Sequence, residues 1–399
     1  MRGQTLDVIA RRGTGTGTDA RAFDHPVVLV AGNAWDGVAS SDRHLARHLA
    51  AHVPVLYVDP PTRWWSSVPS TPTIVHPGVL RITPRVPPAM YRTGLHHLLH
   101  HLVARSVNDA LAALRTPSSA VVVATPSPIL SVLESPRRVL YATDDWVAGA
   151  RLMGVPPRRT DHVQAVQAAS ADVVIAVSDV LADQYRARGH RQVLVIPNGC
   201  DLDTLADVDQ QPLPEDVQLP HPVAGLLGHL SERVSLDHLE AVADRPLSLM
   251  LVGPRQDHFG GARFDALVRR PNVCWVGERH YEQIPSYLRL VDVGLTPYRS
   301  SPFNQASSPL KTIEYLAAGR GSVSTDLNGI RAFHTDQVAI ADGPQEFADA
   351  VQRTLAVPRT PEVADERRAA VAQHAWALRA VEVLAALDLP GRSDRQVAR

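Results

Sequence analysis

The stretch PVVLVAGNAWDGVASSDRHLARHLAAHVPVLYV, Pro26 to Val58, decides the fold class. Val27–Ala31 is a short unbroken apolar run, as expected of a strand buried on both faces. It ends in the loop Gly32-Asn33-Ala34-Trp35-Asp36-Gly37. Ser41–Ala51 then reads as a helix with Leu45 and Leu49 turned inward, and Val53–Val58 is a second apolar run. Strand, loop, helix and strand make a βαβ unit, which predicts an α/β fold with parallel sheets. The loop lacks the GxGxxG fingerprint, so neither a nicotinamide nor a flavin site is expected.

Outward from this unit the pattern repeats. Val121–Ala124, Val139–Tyr141, Val173–Val177 and Val193–Ile196 are further short strands with helical patterns between them. Ser178 is placed to cap one helix, with Asp179 in its first turn. Residues 206–222 hold several prolines and acids, the composition of a linker. A second series follows: Val223–Leu227, Leu247–Val252, Val273–Val276, Val291–Leu295, Ser322–Thr325 and Val338–Ala341 as strands, with Pro344–Leu355 and Glu362–Leu387 helical. Residues 59–91 are proline-rich, with Trp64 and Trp65 adjacent, and read as a long irregular excursion. Tyr91–Leu114 reads as a helix. Leu95, Leu98, Leu99 and Leu102 form one stripe, and His96, His97, His100 and His101 the opposite one. Paired histidines can bind metal, but no carboxylate or cysteine completes a set, so a solvated or partner-facing side is expected.

Composition narrows the function. The 399 residues carry a net charge of −1, which gives no general attraction to nucleic acid. Cys200 and Cys274 make neither a disulfide framework nor a metal motif and read as buried free thiols. Residues 1–22, rich in Arg, Gly and Thr, have no apolar segment of signal-peptide type and read as a disordered leader; the polar end of the chain reads as frayed. No run of about twenty apolar residues is present to span a membrane.

The chemistry concentrates in Ser308–Gly319, SPLKTIEYLAAG. Pro309 suits the first turn of a helix, Ile313, Leu316 and Ala317 recur at helical spacing, and Gly319 suits its end. Lys311 lies at the positive N-terminus, a place for phosphate. Among 40 cationic Lys and Arg residues it is the sole lysine, which points to a compact ammonium where a forked guanidinium would not fit. Glu314, one turn on, is repelled by phosphate but suited to accept from sugar hydroxyls. Phosphate beside a vicinal diol describes a nucleotide. Asp144 and Asp145 follow the strand ending at Tyr141, where open α/β sheets bind ligands.

In order along the chain, several short pieces resemble one family. They are Asp172–Ser178, Ile196-Pro197-Asn198-Gly199-Cys200-Asp201, Gly228-His229-Leu230-Ser231-Glu232-Arg233, Leu251–Pro254, Asn272–Gly277, Asp292–Tyr298, Pro309-Leu310-Lys311 and Glu314–Gly319. Together they are similar to the retaining glycosyltransferases of the GT-B fold, family four, in its bacterial polysaccharide and cell-surface glycan branch. The resemblance implies two Rossmann-like parallel-sheet domains facing across a cleft. The implied boundaries are 23–205 for an acceptor-side domain, 206–222 for the linker and 223–375 for a nucleotide-sugar domain. Residues 376–399 would be a helix returning to the first domain with a frayed tail. Many members carry two glutamates a fixed interval apart; Glu314 fits the second, whereas Ala306 stands at the first.

By the same resemblance, Glu314 binds the ribose hydroxyls, while Lys311 and Arg233 face the diphosphate and stabilise its departure. Amides of Ser308 and Leu310 add hydrogen bonds, Val276 and Gly277 lie against the base, and Gly228 and His229 line the phosphate-side loop. The residues themselves offer Arg233 a second reading, a surface ion pair with Glu232 or Asp237. Asp145, with Asp144 as runner-up, is the candidate contact for the acceptor hydroxyl; capping the next helix is its alternative. Asn33, Trp35 and Asp36 are the acceptor-side candidates. No cofactor and no metal are expected: the spacings Asp201-x-Asp203 and Asp207-x-Asp209 fall away from the phosphate-side loops and read as solvated acids. The expected partners are a nucleotide-sugar donor, UDP favoured by family frequency, and a hydroxyl acceptor, either a glycan, a lipid-linked glycan or a natural product. Trp64, Trp65 and the histidine-bearing helix are expected on the acceptor or membrane side of a cytoplasmic, membrane-peripheral enzyme. An epimerase of the same fold and a non-catalytic sugar-nucleotide-binding protein are the alternatives.

Overall fold

The computed structural model describes residues 23–37, 40–67, 71–88 and 98–390. The expected leader, His96, His97 and the last nine residues lie outside them. The chain forms two compact units, residues 1–196 with 377–399, and residues 197–376.

The first unit is built on β1 (Val27–Val30), β2 (Val55–Val58), β3 (Thr62–Arg63), β4 (Thr73–His76), β5 (Val79–Ile82), β6 (Arg85–Val86), β7 (Ala120–Val123), β8 (Arg138–Ala142), β9 (Val173–Ala176) and β10 (Val193–Val195). Its main sheet runs β10-β9-β8-β7-β1-β2-β5-β4. All neighbours are parallel except β4 and β5. The strand order reverses at β1 and β7, so a crevice opens at their carboxyl ends. The central strands are buried throughout, which explains their unbroken Val and Leu runs.

Two sequence expectations fail in this unit. Residues 59–91 are not an irregular excursion, because β3 to β6 lie within them. Pro72, Pro77, Pro84 and Pro87 flank these strands rather than interrupt them. Arg81 in the middle of β5 disguised a buried strand; its guanidinium is answered by Asp36 at 2.5 Å and by Asp59 at 2.9 Å. The leucine stripe is also displaced. The Leu99–Leu114 helix buries Val103, Ala104, Val107 and Ala110, while Leu98 stays exposed.

The second unit carries β11 (Val223–Leu227), β12 (Ser248–Val252), β13 (Val273–Gly277), β14 (Val293–Thr296), β15 (Gly321–Ser324) and β16 (Val338–Ile340). They form one parallel sheet, β13-β12-β11-β14-β15-β16, whose order reverses at β11 and β14. Residues 206–222, expected as a linker, pack within this unit. Val208 and Val217 are buried, and Asp209 pairs with the fully buried Arg320. Asp209 is therefore a paired rather than a free acid, half of its side chain still reaching solvent, and the guanidinium beside it holds its carboxyl below the usual range. Removing one partner of such a pair strands a buried charge. Asp209→Ala is expected to destabilise the unit by about 3 kcal/mol in urea unfolding, with Asp209→Asn milder. A loss under about 1 kcal/mol would mean Arg320 is held by its other contacts.

The expected single helix Glu362–Leu387 is two helices, Pro361–Val371 and Trp376–Ala386. Between them His374 accepts from the Cys200 amide, and the Trp376 amide donates back to Cys200. Two backbone bonds taken outside the helix break it, and the chain leaves the second unit there. Beyond the break, the Arg137 Nε donates to the Ala386 carbonyl at 3.0 Å within the first unit. Cys200 is buried and Cys274 half-buried, and both are free. Among the described residues no helix is long and apolar enough to cross a membrane.

Candidate active site

In the second unit the Leu310–Ala317 helix is clamped by its buried face. Tyr315 accepts a hydrogen bond from the Leu227 amide at 2.9 Å, and Thr312 bonds Thr296 across to β14. Gly294 leaves the space its ring fills, since a Cβ there would stand 2.1 Å from Tyr315. The helix ends with Gly319 left-handed at φ +71°; its amide donates to Leu316 and the Arg320 amide to Tyr315. This is the paired closure that glycine makes easy.

At the other end the expectation needs correction. Pro309 precedes the helix instead of opening it, with φ −82° and ψ 71°, and the Leu310 amide turns back to the Ser308 carbonyl at 2.9 Å. The Leu310 amide is thus spent inside the loop. The first bond into the helix runs from Ile313 to Pro309, so Lys311 and Thr312 carry the unbonded first-turn amides. The Ser308 hydroxyl accepts from the Asn198 amide at 3.2 Å, tying the Pro197-Asn198-Gly199 turn to this helix entry.

Lys311 and Glu314, one turn apart, form an ion pair at 2.8 Å, with Glu314 buried and Lys311 half-buried. The Lys311 stem lies against Gly228: a Cβ added there would sit 3.7 Å from its Cε. The switch-point loop of β11 and the lysine are therefore neighbours. Behind them the glycines close ranks. The Gly228 amide donates to Val252 and the Gly253 amide to Gly277, both at 2.8 Å. Val276 and Gly277, at the end of β13, are half-buried beside this layer.

Arg233 makes neither of the ion pairs weighed for it; Asp237 pairs with Arg263 instead. Its Nε donates to Asn304 at 2.9 Å, and its guanidinium lies over Phe303 and Tyr298. Asn304 is fully buried and also bonds the carbonyls of Arg233 and Arg299. Sequence reasoning missed Asn304, whose only signal was a capping serine, Ser301, three residues before it. Ala306, at the position where the resemblance places a first glutamate, is fully buried, so no acid stands there. His229 is exposed next to this arginine; loss of hydration, then the Arg233 charge, holds its pKa below the ordinary value, opposed by Glu278.

The first unit treats its candidates differently. Asp145 is buried, with one oxygen accepting from the Ala148 amide and the other from Gln184, both at 2.9 Å. The Ala148 bond fits the capping alternative weighed for it, and burial sets it back from solvent, whereas Asp144 is half-exposed. Trp35 is buried too, its amide on Asp59 and its ring edge-on to Tyr57, so it packs rather than lines a site. Asp36 is committed to Arg81. Asn33 stays exposed, its carbonyl accepting from the Tyr57 hydroxyl. Trp64 and Trp65 are exposed at 61% and 60%. His101 is exposed and His100 half-buried.

A further acid, Asp42, holds the loop after β1. It is buried and accepts from the Gly32 amide at 2.9 Å. Burial raises its pKa to about 6, with Asp144 adding to the rise. An acid whose folded pKa is raised favours folding while protonated, so stability falls as pH rises from about 4 to about 6. The shift corresponds to about 3 kcal/mol. The stability of the parent relative to Asp42→Asn should therefore rise by about that amount between pH 7 and pH 4 in urea titrations. A difference that stays flat with pH would place Asp42 in water.

Comparison with known proteins follows this geometry. Residues 222–356 match the model of the family described as glycosyl transferases group 1. The chain is 29% identical over 282 residues to TuaH of Bacillus subtilis (strain 168), a glycosyltransferase named for teichuronic acid biosynthesis, covering 66% of this chain and 69% of that one. Its fold is similar to sucrose-phosphate synthase from Thermosynechococcus elongatus, with TM-score 0.72 and 19% identity over 94% of this chain and 99% of that one. It is also similar to a trehalose-6-phosphate structure from E. coli bound with UDP-2-fluoro glucose, with TM-score 0.68 and 12% identity over 92% and 100% of the two chains. At such identities the structures speak for the fold, while the family match and the relative speak for the enzyme class. Residues 222–356 are by this match a glycosyl transferases group 1 domain, and the chain is a glycosyltransferase with the GT-B fold.

Proposed function

We propose that this glycosyltransferase moves a hexosyl unit, with retention, from a UDP-sugar to a hydroxyl of a cell-surface glycan or its lipid-linked precursor. The observation that carries the donor reading is Lys311 lying on Gly228 at the strand-order reversal, paired with the buried Glu314. Incoming phosphate would draw the ammonium off the carboxylate. Glu314 would then be free to accept from ribose hydroxyls. Arg233, held by Asn304, adds a second cation on the same loop. Both would offset charge growing on the diphosphate as the sugar leaves it, so no divalent ion is needed. The first-turn amides of Lys311 and Thr312, with the Ser308 amide, supply neutral donors. UDP is supported by the nucleotide sugar bound in the E. coli structure, and a polysaccharide acceptor by the name of the Bacillus subtilis relative. The acceptor belongs to the first unit, where Asn33, Asp36 and Asp144 are the accessible candidates. A cytoplasmic enzyme peripheral to the membrane fits this chemistry, since nucleotide sugars are its donors.

The test is product analysis with UDP-glucose and related donors, with and without glycan acceptors, in EDTA. A new glycosidic bond that forms in EDTA with the donor's anomeric configuration is expected. Turnover abolished by EDTA and restored by magnesium or manganese defeats the metal-independent reading. Isomerised sugar without an acceptor would make the protein an epimerase, and nucleotide binding without product a binding protein.

A further inference from the structure

The first unit holds a cavity of about 550 Å³ that the donor chemistry does not use. Val30 of β1, Ala31 just after it and Thr125 beyond β7 line it, which puts it at the strand-order reversal of that sheet. Its size falls within the roughly 300–1,000 Å³ of small-molecule sites. The walls are mainly aliphatic. Leu99 and Val103 come from one helix, Val163 and Val166 from another, and Pro126 and Ile129 from the turn after β7. Thr125, Ser127 and Ser131 add hydroxyls to the lining, but the greater part of the wall is apolar and suits a hydrocarbon chain better than the full ring of sugar hydroxyls. A hydrocarbon chain would lose nothing.

One part of the lining is charged. Arg159, His162, Val163 and Val166 share one face of the Pro157–Ala169 helix, by their spacing of three and four residues. Arg159 forms no ion pair among the described residues; Asp161 beside it is taken by Arg188 at 2.8 Å. Among the described residues the one lining carboxylate, Asp59, is already engaged by Arg81, Thr83 and the Trp35 amide. The charge that remains is that of Arg159, with the imidazoles of His100 and His162 nearby. On another side Pro60 and Pro61 line the cavity and run directly into Arg63 and the exposed Trp64 and Trp65. Exposed tryptophans beside arginine suit the boundary between lipid and water.

We infer that this cavity takes an aliphatic chain bearing a phosphate at one end, the chain between the two helices and the phosphate at Arg159 and His162. The inference rests on the transferase reading in one respect: it makes the hydroxyl acceptor a glycan carried on a lipid phosphate rather than a soluble glycan. A bilayer phospholipid and a separate lipid phosphate share this chemistry.

The experiment is isothermal titration of the full chain with dodecyl phosphate below its micelle concentration, with inorganic phosphate and dodecyl maltoside as controls. Dodecyl phosphate should bind on the order of tenfold tighter than either. Val163→Trp, which fills the cavity, should weaken it by on the order of tenfold; Arg159→Ala should weaken dodecyl phosphate several-fold and leave dodecyl maltoside unchanged. Equal binding of dodecyl maltoside, or binding indifferent to both variants, overturns the inference. UDP titrated into the same samples separates the two readings. UDP binding without dodecyl phosphate binding sinks this inference alone; dodecyl phosphate binding without UDP binding sinks the donor reading alone. Sedimentation with phosphatidylglycerol vesicles then identifies the source. Pelleting lost in Val163→Trp assigns the chain to a bilayer lipid, and retained titration without pelleting assigns it to a separate lipid phosphate.

Discussion

Lys311→Ala is expected to lower turnover on the order of a hundredfold while changing the donor Michaelis constant far less. In the proposed donor site the ammonium would face charge that grows as the diphosphate departs, so its contribution would be larger in the transition state than in the ground state. A charge-assisted contact of this kind is worth about 2–4 kcal/mol. Lys311→Arg should recover part of that loss, since a planar guanidinium does not reproduce a compact ammonium against Gly228. Glu314→Gln should act the other way, raising the donor Michaelis constant more than it lowers turnover, because ribose hydroxyls carry no new charge. The 2.8 Å pair between the two side chains adds a condition. Each is the other's partner when no donor is bound, so the double variant should lose less than the sum of the singles, with a coupling of about 0.5–3 kcal/mol. Steady-state kinetics with donor varied and acceptor saturating measures all four proteins. Near-normal turnover in Lys311→Ala would reduce the lysine to a helix-surface ion pair worth about 0.5 kcal/mol, and the argument from its solitude in the sequence would go with it.

Gly253→Ala should abolish donor binding and cost at least about 3 kcal/mol of stability. The residue holds φ +139°, a conformation side chains rarely adopt, and a Cβ would stand 2.0 Å from the Gly228 carbonyl oxygen. That atom is backbone, with its own amide bonded to Val252, so nothing can swing aside. Relief has to come from moving the Gly228 loop, which carries His229 and Arg233 and backs Lys311. Alanine at Gly261 is the control: that glycine has φ +49° with open space where a Cβ would be, so its cost should stay near 1 kcal/mol and donor binding should persist. Thermal melts and UDP titration of both variants check this. A Gly253→Ala protein that binds UDP normally would show that the loop is not part of the donor site.

The parallel sheets were open to reading because their cause is local. A strand buried on both faces must be apolar at every position, and Val223–Leu227 is visible as that run wherever the rest of the chain goes. The same holds for the Pro344–Leu355 helix, whose proline start and apolar spacing are written within its own residues. The site helix was legible for the same reason, down to Gly319 at its end.

Charged groups were not legible in this way, because a charge is explained by its partner, and the partners are distant in sequence. Arg81 made β5 unrecognisable until folding brought Asp36 and Asp59 to it. Asp145 reads in sequence as an acceptor contact or a local cap; the Ala148 amide three residues on fits the capping alternative, and only the fold adds Gln184 to its other oxygen. Residues 206–222 read as a linker because their acids look solvated, and Asp209 became structural only when Arg320 was buried against it. Local sequence thus determined strands, helices and the lysine–glutamate spacing, which depend on backbone geometry and hydrophobic periodicity over a few residues. Tertiary structure alone decided which polar groups remain available for chemistry, because a buried hydrogen bond or ion pair exists only once the chain has closed loops of tens of residues to form it.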